Sequence, residues 1–151
     1  MYYFASDIHL GLQIGSDPEN RERLLVQWLD EVSKDADAIF LVGDIFDFWY
    51  EYRYVIPKGF TRLLGKLSEL TDRGIPVHFF GGNHDIWTYR YLHDECGVTL
   101  YHSPYAEFEL DGRKVIVGHG DMLGPRPAGQ PPFSAAGCCN GSSRCCIPTG
   151  P

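Results

Sequence analysis

Four short clusters of polar residues in this sequence each follow an apolar run of the kind that forms a buried strand. The clusters are the segments 7–9, 43–47, 82–85 and 118–121, which read DIH, GDIFD, GNHD and GHGD. Their carboxylate, amide and imidazole groups suit hard-to-borderline divalent cations such as manganese, iron, zinc or magnesium. The clusters contain no cysteine, which argues against a structural zinc or iron–sulfur site. These residue types predict a centre for divalent cations.

The spacing of the clusters predicts that they meet. Asp7, Asp44, Asn83 and His119 are 37, 39 and 36 residues apart, which is about one strand and one crossover in each case. Such spacing is expected to align the four clusters along one rim of one sheet, where α/β sheets bind ligands. On an extended segment, Asp7 and His9 would point to the same side and share one ion. Two cations about 3.5–4 Å apart, bridged by one carboxylate, are suited to hydrolysis at phosphorus.

The elements that would carry these clusters follow from the apolar pattern. Uncharged runs at 2–5, 38–42 and 77–80 are typical of strands buried on both faces. Helical spacing predicts one helix that begins at Asp17 and Pro18 and a second that ends before Gly74. Their apolar stripes are Leu24, Leu25, Trp28, Leu29 and Val32 in the first and Phe60, Leu63, Leu64, Leu67 and Leu70 in the second. The order βαβαβ predicts an α/β fold with a parallel sheet.

Two further elements are expected after the third strand. A short helix is predicted over 87–95, with Gly97 just beyond its end. The segments 107–110 and 114–117 flank Asp111 and Gly112, a strong hairpin signal, and predict an antiparallel pair that extends or faces the parallel sheet. The aromatic residues of 49–54 beside the second cluster suggest either a platform for a nucleobase or acyl chain or ordinary core packing.

The four motifs, in this order and spacing, resemble those of the calcineurin-like metallophosphoesterases. Within that superfamily the chain is most similar to the UDP-2,3-diacylglucosamine pyrophosphatases of lipid A biosynthesis. The similarity lies in DIHLG at 7–11, GDIFDFWYEY at 43–52 and the late GHGD, and it runs from Tyr2 to about Leu123. It implies a metallophosphoesterase-type αββα sandwich, truncated at its C-terminal end, with a mostly parallel first sheet.

The resemblance also implies the residues of a dinuclear metal centre. Two divalent cations, in the first place Mn²⁺ with iron, zinc or magnesium as alternatives, would be held by Asp7, His9, Asp44, Asn83 and His119. Asp7 and His9 would bind one ion, and Asn83 and His119 the other. Asp44 would bridge the two.

Catalytic roles are implied for two further residues. His84 would face the scissile phosphate as an acid or charge stabiliser, and Asp47 would orient it. Many members of the pyrophosphatase family carry arginine at the position of His84, so the GNHD form is closer to the general superfamily.

The further histidine and GHTH-like motif that complete the metal sites of superfamily members have no counterpart after Asp121. Asp85 and Asp121 are expected to form hydrogen bonds in turns or behind the ligands.

The predicted activity is metal-dependent hydrolysis of a phosphoester or pyrophosphate. In the intact parent it would convert UDP-2,3-diacylglucosamine to UMP and a lipid monophosphate, so the expected partner is a small-molecule phosphoester that is also a nucleotide-lipid. Two alternatives stay open. The chain could be a metallophosphoesterase for another phosphodiester or phosphomonoester, or an inert truncated fragment that binds metal or a protein partner.

Composition limits the class of protein and its partners. The 151 residues are 44% hydrophobic and 22% charged with a net charge of −7, which suits one soluble domain and argues against nucleic acid as the main partner. No apolar run reaches the roughly 18 residues of a membrane span, and no leader precedes Tyr2. A cytoplasmic location is therefore expected, with peripheral contact to the inner membrane in the parent.

The segment 124–151 holds six of the ten prolines, four of the five cysteines and none of the 20 acidic residues. We expect a partial phosphoesterase domain over 1–123 and a disordered or out-of-frame tail over 124–151.

Overall fold

A computed structural model of the chain describes residues 1–12 and 18–120, in which strands and helices alternate at first and three consecutive strands follow. In chain order the elements are β1 Tyr2–Ala5, α1 Pro18–Val32, β2 Ala38–Val42, α2 Thr61–Asp72, β3 Val77–Phe80, α3 Tyr91–Cys96, β4 Thr99–Tyr101, β5 Ala106–Leu110 and β6 Arg113–Val117. The predicted α/β class is confirmed, and β1, β2 and β3 have the predicted bounds. Asp17, Asp121 and the tail 124–151 lie outside the described residues.

The first sheet has the strand order β1-β2-β3-β4, and all of its pairs are parallel. In β2, the central residues Ile39, Phe40 and Leu41 are fully buried, although successive side chains point to opposite faces. Burial on both faces is what the continuous apolar runs predict for a parallel sheet. The chain therefore needs a covering layer on each side of this sheet.

The helices cover one face of the sheet. Leu29 of α1 and Leu63 and Leu67 of α2 are fully buried in the cluster that also contains Ile39 and Leu41. Burial of such a side chain contributes about 1.5–3 kcal/mol to stability. In the part of the chain that the structure describes, no helix has the length and apolarity needed to cross a membrane.

A hairpin formed by β5 and β6 covers the other face. Its turn residues Asp111 and Gly112 have φ angles of 50° and 71°, as a two-residue hairpin turn with a strong right-handed twist requires. Phe108 of β5 packs edge-on against Phe40 of β2, with ring centroids 5.0 Å apart. The hairpin is a separate two-stranded sheet that faces the parallel one. The sequence allowed two arrangements, a hairpin that extends the parallel sheet and a hairpin that faces it. The structure shows the second.

The third helix and the strand β4 differ from the sequence prediction. The third helix begins at Tyr91 instead of 87, because Trp87 forms a bridge with Tyr50 and its carbonyl accepts the N–H of Glu51 at 3.3 Å. The segment before the helix is thus bound to the loop after β2. The strand β4 was not predicted, since three residues are too few to give a clear alternation.

Candidate metal centre

The loops after β1 and β2 are joined by their backbones. Four hydrogen bonds of 2.9–3.1 Å connect them, from the N–H groups of Asp7, His9, Leu10 and Asp47 to the carbonyls of Gly43, Asp44, Ile45 and Leu10 respectively. The parallel pairing of the two strands therefore continues into the loops, and the isolated bridge between Leu10 and Phe46 belongs to this continuation. The side chains of the first two clusters are consequently fixed relative to one another by main-chain contacts.

Three of the predicted ligands have left-handed backbones. The φ angles of Asp7, His9 and Asp44 are 55°, 50° and 54°. The prediction that Asp7 and His9 lie on an extended segment is therefore wrong, because the chain turns sharply at both residues. Residues other than glycine adopt the left-handed backbone conformation at a cost of about 1–3 kcal/mol, and such residues concentrate at functional sites.

Asp44 lies at the centre of the site and is 4% exposed. Its Oδ2 is 3.7 Å from His9 Nε2 and 3.4 Å from His119 Nε2, while its Oδ1 accepts the N–H of His84 at 3.0 Å. Two sets of donor atoms, each within 4.8 Å of one another, share this carboxylate: His9, Asp44 and His84 in one, Asp7, Asp44 and His119 in the other. Donors of this chemistry, arranged around one shared carboxylate, fit two divalent cations.

The histidines of the site are oriented through their Nδ1 atoms. His119 Nδ1 is 3.0 Å from the carbonyl oxygen of Val42, which only accepts, so Nδ1 carries the proton. His9 Nδ1 is 3.3 Å from Asp47 Oδ1. In both rings this leaves Nε2 toward Asp44 with its lone pair available to a cation. A second partner that fixes the tautomer in this way is typical of metal-binding histidines.

Asp47 contacts two histidines. Its Oδ1 is 3.3 Å from Nδ1 of both His9 and His84, and its carbonyl lies 3.0 Å from His84 Nδ1. The hydrogen bond to this carbonyl raises the pKa of His84, and the carboxylates of Asp44, Asp47 and Asp85 act in the same direction, against a lowering by desolvation. The sequence predicted the contact of Asp47 with His84 but not the contact with His9.

Asp85 is fully buried, and within the described residues its side chain accepts hydrogen bonds only from backbone N–H groups. Oδ1 accepts from Gly82 at 2.7 Å and from Asp44 at 3.3 Å, and Oδ2 accepts from Ile45 at 2.9 Å and Phe46 at 3.1 Å. Burial raises the pKa of this carboxyl, against the lowering effect of the N–H groups. The sequence had suggested a supporting role of this kind, but not these partners.

Two glycines allow the clusters to approach one another. A Cβ atom at Gly82 would lie 2.6 Å from the backbone nitrogen of Asp44 and collide with its carboxylate. At Gly43, whose φ angle is 73°, a Cβ atom would lie 2.5 Å from His119 Nδ1. Both positions therefore exclude any side chain if the site is to keep its geometry.

The family of the protein follows from comparison with known sequences. Residues 2–131 match the family model described as calcineurin-like phosphoesterase. The chain belongs to the calcineurin-like phosphoesterase family.

Relatives of this phosphoesterase carry the name UDP-2,3-diacylglucosamine hydrolase. The protein of Porphyromonas gingivalis is 49% identical over 119 residues, which cover 79% of this chain and 45% of the relative. Those of Neisseria gonorrhoeae and Actinobacillus succinogenes are 33% and 31% identical, each over 121 residues that cover 80% of this chain and 48% and 49% of the relative. The chain spans about half the length of these relatives.

The phosphoesterase structure brings most of the predicted site residues together. Asp7, His9, Asp44, Asp47, His84 and His119 all contribute atoms to the contacts around Asp44. Asn83 is exposed and precedes His84 in the same loop. The prediction that all clusters share one rim of one sheet is wrong for His119, because it follows β6 of the facing hairpin.

A set of exposed aromatic and aliphatic side chains, called the aromatic surface, lies in the segments that follow Asp47 and Asp85 in the chain. It consists of Phe48, Tyr50, Tyr52, Tyr54, Val55, Ile86, Trp87 and Tyr89, whose exposed fractions range from 38% to 84%. Phe48 and Tyr50 lie beside Trp87, with ring centroids 5.8 and 6.0 Å apart. Trp49 is fully buried, so of the two interpretations of the aromatic segment core packing applies to this residue.

Proposed function

We propose that this chain carries the metal centre of a dinuclear phosphoesterase. The observation that supports this best is the buried Asp44 carboxylate, which is shared by two sets of ligand atoms. The sequence motifs assign Asp7 and His9 to one ion and Asn83 and His119 to the other, whereas the donor sets of the structure pair His9 with His84 and Asp7 with His119. The five residues of the motifs are the proposed ligands, with Asp44 as the shared one. Mn²⁺ is the proposed metal, since carboxylate and amide oxygens with imidazoles suit it.

The reaction we propose is hydrolysis of a phosphoester or pyrophosphate bond. Two bound cations would lower the pKa of water and neutralise the charge that develops on the phosphoryl oxygens. His84 is 40% exposed at its side chain, and its Nδ1 is held by Asp47. Its Nε2 is thus available to a phosphoryl oxygen or to the leaving group, as a charge stabiliser or acid.

The proposed substrate of the whole protein is UDP-2,3-diacylglucosamine, with UMP and a lipid monophosphate as products. Relatives that bear the corresponding hydrolase name support this assignment. The aromatic surface supports it as well, because it begins directly after Asp47 and Asp85 in the chain and presents exposed apolar side chains suited to contact with an acyl chain. We further propose a cytoplasmic protein that makes peripheral contact with the inner membrane, where such a lipid would be found.

A manganese-dependent assay on bis-p-nitrophenyl phosphate tests the proposed reaction. The 151-residue chain should bind two Mn²⁺ ions in a calorimetric titration and release p-nitrophenolate. Asp44→Asn should lower turnover by about 100-fold or more, because it removes the shared charge partner of both ions. Asp72→Asn, at an exposed position of α2, is the matched control and should have no effect.

The same assay separates the proposal from its alternatives. UDP-2,3-diacylglucosamine should compete with the simple diester. Turnover that is indifferent to this lipid nucleotide would favour a phosphoesterase for another phosphodiester or phosphomonoester. A folded chain that binds manganese without turnover would support the inert-fragment alternative, and a folded chain that binds no manganese would refute the metal centre itself.

A further inference from the structure

The loop 82–85 is linked to Asp44 in two directions, and the first link is the side chain of Asp85. Its carboxylate accepts the N–H groups of three successive residues, Asp44, Ile45 and Phe46. In return, the backbone N–H of the neighbouring His84 donates to Asp44 Oδ1 at 3.0 Å. The loop 82–85 therefore holds the main chain of Asp44 through the side chain of Asp85. It holds the side chain of Asp44 through the backbone N–H of His84.

These hydrogen bonds occupy both lone pairs of each carboxylate oxygen of Asp85. Each oxygen of Asp85 accepts two backbone N–H groups, the fourth of which belongs to Gly82. Neither oxygen belongs to the donor sets around Asp44, so Asp85 is not offered as a ligand. A buried carboxylate is tolerated only when its hydrogen bonds are satisfied, and successive N–H groups turned to one acceptor form such a site. The left-handed backbone of Asp44 is thus held by a dedicated partner.

We propose that Asp85 is a positioning residue that sets the bridging carboxylate of Asp44 before any cation binds, by holding residues 44–46 against Gly82. This inference rests on the proposed metal centre. Its consequence is that metal affinity, and not only fold stability, depends on a residue that touches neither ion nor substrate. Outer residues of this kind typically change metal affinity by about 10–100-fold when they are substituted.

A matched control is available in Glu22. This carboxylate is 8% exposed and accepts the backbone N–H groups of Arg62 and Leu63 at 2.9 and 3.0 Å, at the start of α2. It is therefore another buried acid that accepts hydrogen bonds from backbone N–H groups, but these N–H groups do not belong to the loop of Asp44. Substitution of Glu22 should disturb the fold in a similar way without reaching the ligands.

The test compares manganese binding by Asp85→Asn and Glu22→Gln in the full 151-residue chain. Unfolding midpoints in urea, measured without metal, should fall in both variants. Calorimetric titration with MnCl₂ should give affinities about 10–100-fold weaker for Asp85→Asn and within about twofold of wild type for Glu22→Gln. Equal affinity of Asp85→Asn and wild type would overturn this inference alone. Failure of the wild-type chain to bind manganese would overturn the metal centre and this inference together.

A measurement on the wild-type chain covers the case in which Asp85→Asn does not fold. Amide hydrogen exchange of the metal-free protein should show Asp44, Ile45, Phe46 and Gly82 protected to the degree of the amides of β2. Exchange at the rate of exposed loop amides, slowed only after manganese is added, would mean that the ion and not Asp85 orders the loop. That result would overturn the proposal.

Discussion

At the scale of single residues, the site combines left-handed backbones with side chains, which is uncommon in proteins. Asp7, His9 and Asp44 have left-handed backbones although each carries a side chain. Gly82, in contrast, has an ordinary backbone, and a side chain there is excluded only by the carboxylate and nitrogen of Asp44. Conformational cost and close approach are therefore separate requirements, and they can be tested separately.

We predict that Gly82→Ala weakens manganese binding by about tenfold or more, because the added methyl group displaces the Asp44 carboxylate. The control is Gly65→Ala, in the interior of α2, where a Cβ atom would meet no atom within 4 Å. That variant should be more stable than wild type by about 0.5–1 kcal/mol and bind metal normally. Calorimetric titration and urea unfolding give both quantities. Unchanged metal affinity in Gly82→Ala would contradict the close approach of the two loops.

The sequence identified the residue types of the site but not their supporting contacts. The motifs named Asp7, His9, Asp44 and His119, because polar residues after apolar runs can be recognised locally. The contacts of Asp85 with residues 44–46 join positions about 40 residues apart. No local pattern encodes such a pair, so a buried acid of this kind looks like an ordinary turn residue in the sequence.

At the scale of elements, acidic side chains from elsewhere in the chain satisfy helix starts. The residue before α2, Phe60, makes no side-chain capping hydrogen bond, and neither does Arg90 before α3. Glu51 serves α3: its Oε2 accepts the N–H groups of Arg90 and Tyr91 at 2.6 and 3.0 Å, and its Oε1 accepts Trp49 Nε1 at 3.1 Å. The loop that carries much of the aromatic surface is thereby tied to this helix.

We predict that Glu51→Ala lowers the free energy of unfolding by about 0.5–2 kcal/mol, as loss of a helix cap does. The tryptophan emission should also change, because the indole N–H of Trp49 loses its partner. Glu95→Ala, at an exposed position of the same helix, is the control for the loss of a negative charge. Equal destabilisation in the two variants, measured by urea unfolding, would show that the contacts of Glu51 contribute nothing specific.

The elements themselves were predicted well where their signals are periodic. The stripe of α2 and the Asp111–Gly112 turn gave the correct helix and hairpin, because both signals arise from local geometry. The start of α3 was wrong because Trp87 fits a helical stripe equally well, and only its pairing with Tyr50 across the chain decides its conformation. Tertiary contacts override local preference at such positions.

At the scale of the whole molecule, an aromatic layer joins the parallel sheet to the hairpin. His78 of β3 lies in this layer. Its ring is stacked on Phe40 at 4.7 Å and edge-on to Phe108 at 5.3 Å, and its Nδ1 is 3.0 Å from the hydroxyl of Tyr101. Burial lowers the pKa of His78 below its ordinary value of 6.5. The docking of the two sheets therefore favours the neutral ring.

We predict that this histidine makes the protein less stable as the pH falls through 6.5 toward the lowered pKa. In that window the unfolded chain binds the proton and the folded chain does not, so protonation favours unfolding. His78→Phe keeps an aromatic ring and should reduce the loss of stability between pH 7.5 and 5. Urea unfolding of both proteins across this range measures the difference. An identical pH dependence would mean that His78 does not titrate in this way.

The origin of the proposed ligands has a mechanical consequence for the described part of the chain. His119 arrives from the hairpin, whereas Asp7, His9 and Asp44 arrive from the loops of the parallel sheet. An ion bound by residues of both sheets would connect the two layers. Its binding free energy would then also stabilise the packing of one sheet on the other. Folding and metal binding would then be two aspects of one equilibrium, and a low concentration of the cation would weaken the packing of the two sheets.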